Sequence, residues 1–205
     1  MENVKGKITH RQRQAIATRD LIVDTGRSLF LELGYGAATI DMIAERAGVA
    51  VSTVYAIFKN KRGILKAIRE AWHQASGQRD IYEAAVLELN PERRLEMAAM
   101  ATRRQWEMGT AMITIYKGAA TVDSEAAAEL NEALRGRRAN LDKFMSSMSG
   151  LVREDLRLAQ AAAIFRALTL GEVYQEMVDI DGWTPDQYED WLAATLKQQL
   201  LPASK

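Results

Sequence analysis

Helical periodicity with very few interruptions constrains the fold of this chain most. Apolar residues recur at three- and four-residue spacing along most of its 205 residues, and the sequence contains only three prolines. Those prolines, Pro91, Pro185 and Pro202, each stand beside an expected helix end. We therefore predict an all-α protein of about nine helices. The expected helices cover residues 12–33, 40–47, 51–58, 61–78, 92–107, 110–121, 124–149, 153–178 and 185–200.

Composition excludes several classes of protein. The chain has no cysteine, which excludes disulfides, thiolate metal sites and cysteine nucleophiles. No apolar run reaches the roughly 18 residues that a membrane-spanning helix needs, and residues 1–5 lack the apolar core of a signal peptide. The expected location is therefore the cytoplasm.

The charges divide unevenly along the chain although the formal net charge is zero. Residues 1–70 contain 12 basic and 7 acidic residues, whereas residues 71–205 contain 15 basic and 20 acidic ones. A basic first third is typical of a surface that binds a polyanion such as nucleic acid. Solvated helix faces would also explain a difference of this size. The charge pattern alone therefore does not distinguish a nucleic-acid-binding surface from solvated helix faces.

Two short expected helices, 40–47 and 51–58, have the spacing of a helix-turn-helix. Ala44 is small where the helices should cross, Gly48 can adopt the positive φ of a tight turn, and Val54 supplies the apolar partner. Ala50 precedes the second helix and cannot cap it through a side-chain oxygen, which weakens its start by roughly 0.5–2 kcal/mol. An ordinary helical hairpin would show the same packing pattern.

The residues around this hairpin favour DNA binding. Short side chains on the outer face of the second helix would let it approach base edges, and the expected base contacts are Val51, Ser52, Thr53 and Ala56. Hydroxyl and basic side chains nearby suit the DNA backbone. The expected phosphate contacts are Thr39, Tyr55, Lys59, Lys61 and, in a basic N-terminal arm, Lys5 and Arg11.

Three motifs in register carry a family resemblance. They are Phe30-x-x-x-Gly34-Tyr35, then Thr39-Ile40-x-x-Ile43-Ala44-x-x-Ala47-Gly48-Val49, then Thr53-Val54-Tyr55-x-x-Phe58-Lys59-Asn60-Lys61-x-x-Ile64-Leu65. Together they resemble the DNA-binding domain of the TetR family of transcriptional regulators. The resemblance implies a DNA-binding domain over residues 1–71 and a helical ligand-binding and dimerisation domain over 72–205. It also implies a homodimeric repressor that a small effector releases from a palindromic operator.

The sequence departs from the family pattern at the second short helix. Val51, Ala56 and Ile57 are apolar where family members often carry a basic residue, a histidine and an aromatic residue. Direct hydrogen bonds to bases are therefore expected to be few. A second hypothesis follows from these departures, namely a TetR-like helical module that has lost DNA binding and acts through protein contacts.

The second domain offers candidate ligand-binding residues. Seven of the nine methionines follow residue 90 and lie near aromatic residues, so a flexible, mainly apolar effector pocket could form between Met97 and Phe165. Core packing is the more common reason for such a stripe. The candidates are Met97, Met100, Arg103, Met112, Tyr116, Phe144, Met145, Met148 and Phe165.

The last two long helices are expected to form the dimer interface, as the family resemblance implies. Their apolar stripes would build a four-helix contact with a second copy, although packing within a monomer would give the same pattern. The candidate interface residues are Ala161, Ala162, Phe165, Thr169, Tyr188, Trp191 and Thr195.

An enzyme is the third hypothesis, and the sequence gives it little support. The two histidines, His10 and His73, lie far apart in the chain, and no glycine-rich phosphate loop or serine elbow occurs. Glu70-x-x-His73 has metal-ligand spacing, but a helical metal site needs further ligands that no pattern supplies. We expect no catalytic activity, no metal site and no cofactor.

Overall fold

The computed structural model of the protein describes residues 9–203. These residues form ten α-helices and one π-helical segment, with no strand among them, which confirms the all-α prediction. The helices are α1 (His10–Leu33), α2 (Ile40–Ala47), α3 (Val51–Phe58), α4 (Lys61–Ser76), α5 (Gln78–Leu87), α6 (Pro91–Ala120), α7 (Ser124–Ser147), α8 (Leu158–Leu168), α9 (Gly171–Tyr174) and α10 (Pro185–Leu200). The π-helical segment, Gln175–Ile180, directly follows α9.

The chain forms two compact units that are not contiguous in sequence. The first comprises residues up to Ala71 together with Thr114–Ala127, and the second comprises Trp72–Ile113 together with the residues from Ala128 onward. The end of α6 and the start of α7 thus belong to the first unit. A single boundary at residue 71 does not describe this arrangement.

The first unit is built around α1, α2 and α3. Thr9 starts α1 with a capping box, because its side chain accepts from the Gln12 backbone N–H while the Gln12 side chain accepts from Thr9. Asn60 accepts from the Gly63 N–H at 2.9 Å and so starts α4 as the sequence predicts. The core of this unit consists of Ile22, Leu29, Phe30, Ile43, Val54, Phe58, Ile64 and Leu65, each less than 10% exposed.

The second unit is a helical bundle around one aromatic and aliphatic core. Phe144 stacks on Phe165 with ring centroids 5.2 Å apart, and Tyr174 meets Tyr188 edge to face at 4.9 Å. A capping box formed by Thr184 and Gln187 starts α10. The first turn of α10 is therefore capped, and the inner faces of the bundle helices are closely packed.

Three helix predictions for the second unit need correction. α5 was not expected, and the two segments predicted over 92–107 and 110–121 form the single helix α6. Gly109 lies inside α6 and does not end a helix. A Cβ at this position would come within 2.6 Å of the Trp72 indole nitrogen, so the glycine makes room for that ring. The segment predicted over 153–178 begins only at Leu158 and breaks after Leu168.

Candidate nucleic-acid interface

The turn between α2 and α3 has the geometry that the sequence predicts. Gly48 adopts a left-handed conformation with φ 65° and ψ 34°, and its N–H donates to the carbonyls of Ala44 and Glu45. Ala44 is 1% exposed and Val54 is fully buried, as packing at the helix crossing requires. The two helices therefore form a helix-turn-helix with an apolar inner face.

The outer face of α3 is exposed and carries small or hydroxyl-bearing side chains. Ser52 and Ala56 are exposed, and Tyr55 is 50% exposed. Val51 and Thr53 are half-buried. Ala50 makes no side-chain cap, as expected. The residues predicted to contact bases thus lie on one short helix, with Val51 and Thr53 at the margins of its outer face.

Two of the predicted phosphate contacts lie at the ends of the hairpin helices. Thr39 is exposed and caps α2 by accepting from the Met42 N–H at 3.2 Å. Its hydroxyl proton can still be donated to a phosphate oxygen. Lys59 ends α3 with φ 66°, a left-handed value unusual for a residue with a side chain, and it is exposed. Both side chains can reach an anion outside the helices.

Lys61 has an internal role that the sequence did not predict. Its ammonium donates to the carbonyl oxygens of Tyr35 at 2.6 Å, Ala38 at 3.0 Å and Gly36 at 3.3 Å. It also lies 4.4 Å from the centre of the Tyr35 ring. Burial lowers the pKa of Lys61, and the charge of Asp123 opposes that shift. Lys61 ties the α1–α2 loop to the start of α4, because all three of its protons have acceptors.

The basic arm is shorter than predicted. Arg11 lies in the first turn of α1, which begins at His10, and Arg13 is also helical. Lys5 lies outside the described residues. Arg11 is exposed on α1 and is therefore presented by a helix, not by a loose arm.

Asp123, in the turn between α6 and α7, is the centre of a polar network that sequence reasoning missed. Its carboxylate accepts from the Tyr35 hydroxyl at 3.1 Å and from the backbone N–H groups of Glu125 at 3.0 Å and Ala126 at 3.1 Å. Arg62, at the start of α4, lies 3.6 Å from Asp123 and also pairs with Glu125. The network ties the α6–α7 turn to the loop before α2 and to α4 within the first unit.

The network predicts a pH-dependent effect of Asp123→Asn. The pKa of Asp123 is lowered, first by the hydrogen bond from the Ala126 N–H and also by the Tyr35 hydroxyl and Arg62. A carboxyl with a lowered pKa stabilises the fold above its unfolded pKa of about 3.9, and this contribution disappears as the pH falls through the folded value. Asp123→Asn should therefore lower the melting temperature at pH 7. The difference from the wild type should shrink below about pH 4. A constant difference from pH 7 to pH 3 would contradict the role of the charge.

Most of the predicted ligand-binding residues are packed in the second unit. Phe144, Met145, Met148 and Phe165 are 1% exposed or less and belong to one core cluster. Met112 is 7% exposed, whereas Met97 and Met100 are half-buried. The structure thus brings many of these residues together as a packed core.

Arg103 and Tyr116 have other partners. Arg103 pairs with Glu107 at 3.1 Å, Asp186 at 3.0 Å and Glu189 at 3.8 Å. Tyr116 belongs to the first unit, where its hydroxyl donates to the Leu65 carbonyl at 3.4 Å. The structure therefore assigns Tyr116 to the first unit and surrounds Arg103 with carboxylates.

The predicted dimer residues divide between the core and the surface of the second unit. Buried residues are Ala161, Ala162, Phe165, Thr169 and Tyr188, while Trp191 and Thr195 are half-buried. The buried members face the interior of their own chain. The exposed side of α8 instead presents Ala159, Ala163 and Ala167, spaced four residues apart.

Neither a metal-binding cluster nor a membrane-spanning helix occurs among residues 9–203. Over residues 9–203, no group of three or more histidine, aspartate or glutamate side chains is placed to hold a metal ion, so Glu70 and His73 have no third ligand there. None of the helices in that range is both long and apolar enough to cross a membrane.

Comparisons with known proteins agree with this geometry. Residues 22–68, which span the second half of α1 through the first half of α4, match the family described as bacterial regulatory proteins, tetR family. Over 51 residues the chain is 39% identical to an uncharacterised HTH-type transcriptional regulator, YvkB, of Bacillus subtilis (strain 168). That stretch is 25% of this chain and 27% of the relative.

Solved structures extend the likeness over nearly the whole fold. The SmeT–triclosan complex matches with a TM-score of 0.71 and 21% identity, covering 92% of this chain and 93% of the other. NalD, the secondary repressor of the MexAB-OprM multidrug efflux pump in Pseudomonas aeruginosa, matches with a TM-score of 0.70 and 20% identity, covering 94% and 100%. None of the descriptions of these three proteins names an enzyme. Residues 22–68 therefore carry the DNA-binding domain of the tetR family of bacterial regulatory proteins, and the chain shares its fold with SmeT and NalD.

Proposed function

We propose that the protein is a cytoplasmic, sequence-specific DNA-binding transcriptional regulator. In this proposal it acts as a homodimeric repressor that a small, mainly apolar effector releases from a palindromic operator. The observation that carries the proposal is the outer face of α3, where Ser52, Tyr55 and Ala56 are exposed on a helix held by a close-packed turn. An exposed helix of this kind can enter a major groove.

The chemistry of α3 indicates how DNA would be bound. Ser52 can donate to or accept from base edges, and the methyl group of Ala56 can contact a thymine methyl. Tyr55, Thr39 and Lys59 supply hydroxyl and ammonium groups for phosphate oxygens around that face. Lys61 is left out of this set because three carbonyls already hold its ammonium. We assign it the positioning of the α1–α2 loop.

Release of the DNA by an effector requires coupling between the two units. Helices that continue from one unit into the other can supply this coupling. α4, α6 and α7 each contain residues of both units. A ligand that changes the packing of the second unit would therefore act on helices that continue into the first. Release also requires that the effector bind the DNA-free state more tightly than the DNA-bound state. NalD is described as a repressor, and SmeT was solved with triclosan, which fits a repressor with a small ligand.

We propose that the dimer forms through the exposed sides of α8 and α10. On α8, Ala159 and Ala163 are exposed small side chains one turn apart, which permits close helix approach. On α10, Trp191 and Thr195 are half-buried and flank the buried inner face. Two recognition helices, one from each copy, would then bind the two halves of an inverted repeat.

This interface predicts that Ala163→Arg gives a folded monomer. An arginine in the middle of a small-residue contact adds bulk and a buried charge, which should raise the dimer dissociation constant by at least about 100-fold. Ala139→Arg, on the exposed side of α7, introduces the same side chain and serves as the matched control. Sedimentation equilibrium measures both variants. A dimer of unchanged strength in Ala163→Arg would place the interface elsewhere.

The proposed function is tested by selecting bound sequences from a random duplex library at moderate salt. Enrichment of an inverted repeat would establish a dimeric, sequence-specific DNA-binding protein. No enrichment, with binding that remains weak at low salt, would contradict the proposal. That result would favour the hypothesis that the protein acts through protein contacts. The apolar residues on α3 are the feature that supports this alternative.

A further inference from the structure

The second unit contains buried side-chain donors without a hydrogen-bond acceptor. Arg103 Nε is one of them, but it lies 3.1 Å from a carboxylate oxygen of Glu107. The Tyr188 hydroxyl and the Arg137 Nε are both inaccessible to solvent, and neither has a hydrogen-bond partner within residues 9–203. Tyr188 is fully buried. Buried polar groups are nearly always paired, because an unpaired one loses its hydration without compensation. Two such groups in one bundle therefore need an explanation.

Arg137 is half-buried, and its Nε is inaccessible to solvent. Its guanidinium lies 5.3 Å from the centre of the Trp106 ring and donates through Nη2 to the Thr169 carbonyl. Burial lowers the pKa of Arg137, whereas Tyr82, Tyr188 and Glu172 raise it. Trp106, over which Arg137 lies, and Tyr188 belong to the same core cluster. Arg137 and Tyr188 also each influence the pKa of the other.

A break between α8 and α9 holds Arg137 in place. The carbonyl of Thr169, at the end of α8, accepts from the Trp106 indole N–H at 3.0 Å as well as from Arg137. Gly171 follows the break, and a Cβ there would come within 3.0 Å of the Trp106 ring. The indole, the carbonyl and the guanidinium are therefore fixed relative to one another. A fixed donor group is what an anion-binding site requires.

A groove between α7 and α8 leads to the same arginine. It has a volume of about 450 Å³ and is lined by Asn131, Leu134, Arg135, Arg137, Arg138, Arg166, Ala167 and Leu170. Arg166 and Arg138 share Asp142, whereas Arg135 is exposed. Leu134 and Leu170 are 47% and 43% exposed. The groove thus combines excess positive charge with apolar surface, which suits a ligand that has an anionic head and an apolar tail.

We propose that Arg137 and Tyr188 bind the carboxylate of a small amphiphilic acid, which enters by the groove between α7 and α8. The inference deepens the proposed function, because it names the chemical class of the effector and replaces the mainly apolar site expected near Met97. The two unpaired donors would both be satisfied by one carboxylate. A neutral ligand would leave the buried charge uncompensated, and a cation would be repelled.

Isothermal titration calorimetry with three matched probes tests the ligand class. Decanoate, 1-decanol and decylamine share one apolar tail and differ in the charge of the head group. All are titrated below their micelle concentrations into the full chain without DNA. Decanoate should bind at least about tenfold more tightly than decanol, and decylamine should be weaker still. Quenching or enhancement of tryptophan fluorescence should accompany decanoate binding, since Arg137 lies over Trp106.

Two variants and one control test the assigned residues. Arg137→Gln should weaken decanoate binding by at least about tenfold and remove the preference for decanoate over decanol. Tyr188→Phe should weaken decanoate binding while raising the melting temperature of the free protein, because it deletes a buried unpaired hydroxyl. A tyrosine with only a packing role would not change ligand affinity in this way. Arg104→Gln removes an exposed charge of α6 that does not line the groove, and it should change the affinity by less than about threefold at physiological salt.

The outcomes separate this inference from the proposed function. Equal affinities for decanoate and decanol would overturn the inference, as would unchanged decanoate binding in both Arg137→Gln and Tyr188→Phe. A protein that enriches an inverted repeat but binds no decanoate retains its proposed function and loses only this ligand class. A protein that binds decanoate through Arg137 but enriches no DNA sequence keeps the anion site and loses the regulatory function.

Discussion

Ala56→Glu should lower the affinity for the selected duplex by at least about 100-fold without changing the melting temperature. Ala56 is exposed on the outer face of α3, so a glutamate there would not disturb the helix-turn-helix core. Bound to DNA, its carboxylate would face phosphates and acceptor-rich base edges, and such like-charge contacts cost several kcal/mol.

Ala139→Glu provides the matched control. It makes the same substitution at an exposed helical position of α7 and changes the net charge by the same amount. Fluorescence anisotropy with a labelled duplex should show wild-type affinity for this control, within about twofold. If the two variants lost affinity equally, the loss would come from net charge alone, and α3 would not be the helix that enters the groove.

Gly63→Ala should have the largest effect on stability. A Cβ at Gly63 would lie 2.0 Å from the backbone oxygen of Phe58, the last residue of α3, so the backbone itself would have to move. Overpacking of this kind costs about 2–3 kcal/mol, which corresponds to a fall in melting temperature of roughly 5–10 °C for a chain of this size. Affinity for the selected duplex should fall as well, because the end of the recognition helix would shift.

Gly136→Ala is the control for the glycine substitution. Gly136 lies inside α7, and a Cβ there would meet no atom within 4 Å. Alanine is the better helix former by about 1 kcal/mol, so this variant should be slightly more stable than the wild type. Circular dichroism melting curves measure both. A melting temperature of Gly63→Ala equal to that of the wild type would mean that α4 begins differently from the structure described above.

The helix-turn-helix could be predicted from the sequence because its requirements are local. Gly48 needs a left-handed conformation, Thr39 caps the helix that follows it, and Val54 has one apolar face to fill. Each requirement involves residues within a few positions of one another. Periodicity and turn chemistry are therefore sufficient to place α2 and α3.

Contacts between segments that are distant in the sequence could not be predicted from it. Gly109 looks like a helix end in the sequence, yet its lack of a side chain makes room for Trp72, which lies 37 positions earlier. Lys61 looks like a phosphate ligand, yet its ammonium is taken up by carbonyls of the α1–α2 loop. Asp123 joins Tyr35, from which it is 88 positions away. Such pairings depend on tertiary packing, which no local pattern reports.

The apolar stripes on α8 and α10 show a second limit of prediction from sequence. Apolar periodicity locates the face of a helix that is removed from water, but it does not distinguish an internal core from a contact with a second copy. Phe165 and Tyr188 were expected at the dimer interface and are fully buried within their own chain. The exposed alanines of α8 are the residues that we propose for the interface instead.

The most direct test of sequence-specific DNA binding is a pair of salt titrations. Affinity is measured for the selected inverted repeat and for a scrambled duplex of the same composition as the salt concentration is raised. We predict at least about a thousandfold preference for the repeat at physiological salt, with both affinities falling as salt increases. Equal affinities for the two duplexes at every salt concentration would contradict sequence-specific recognition by α3.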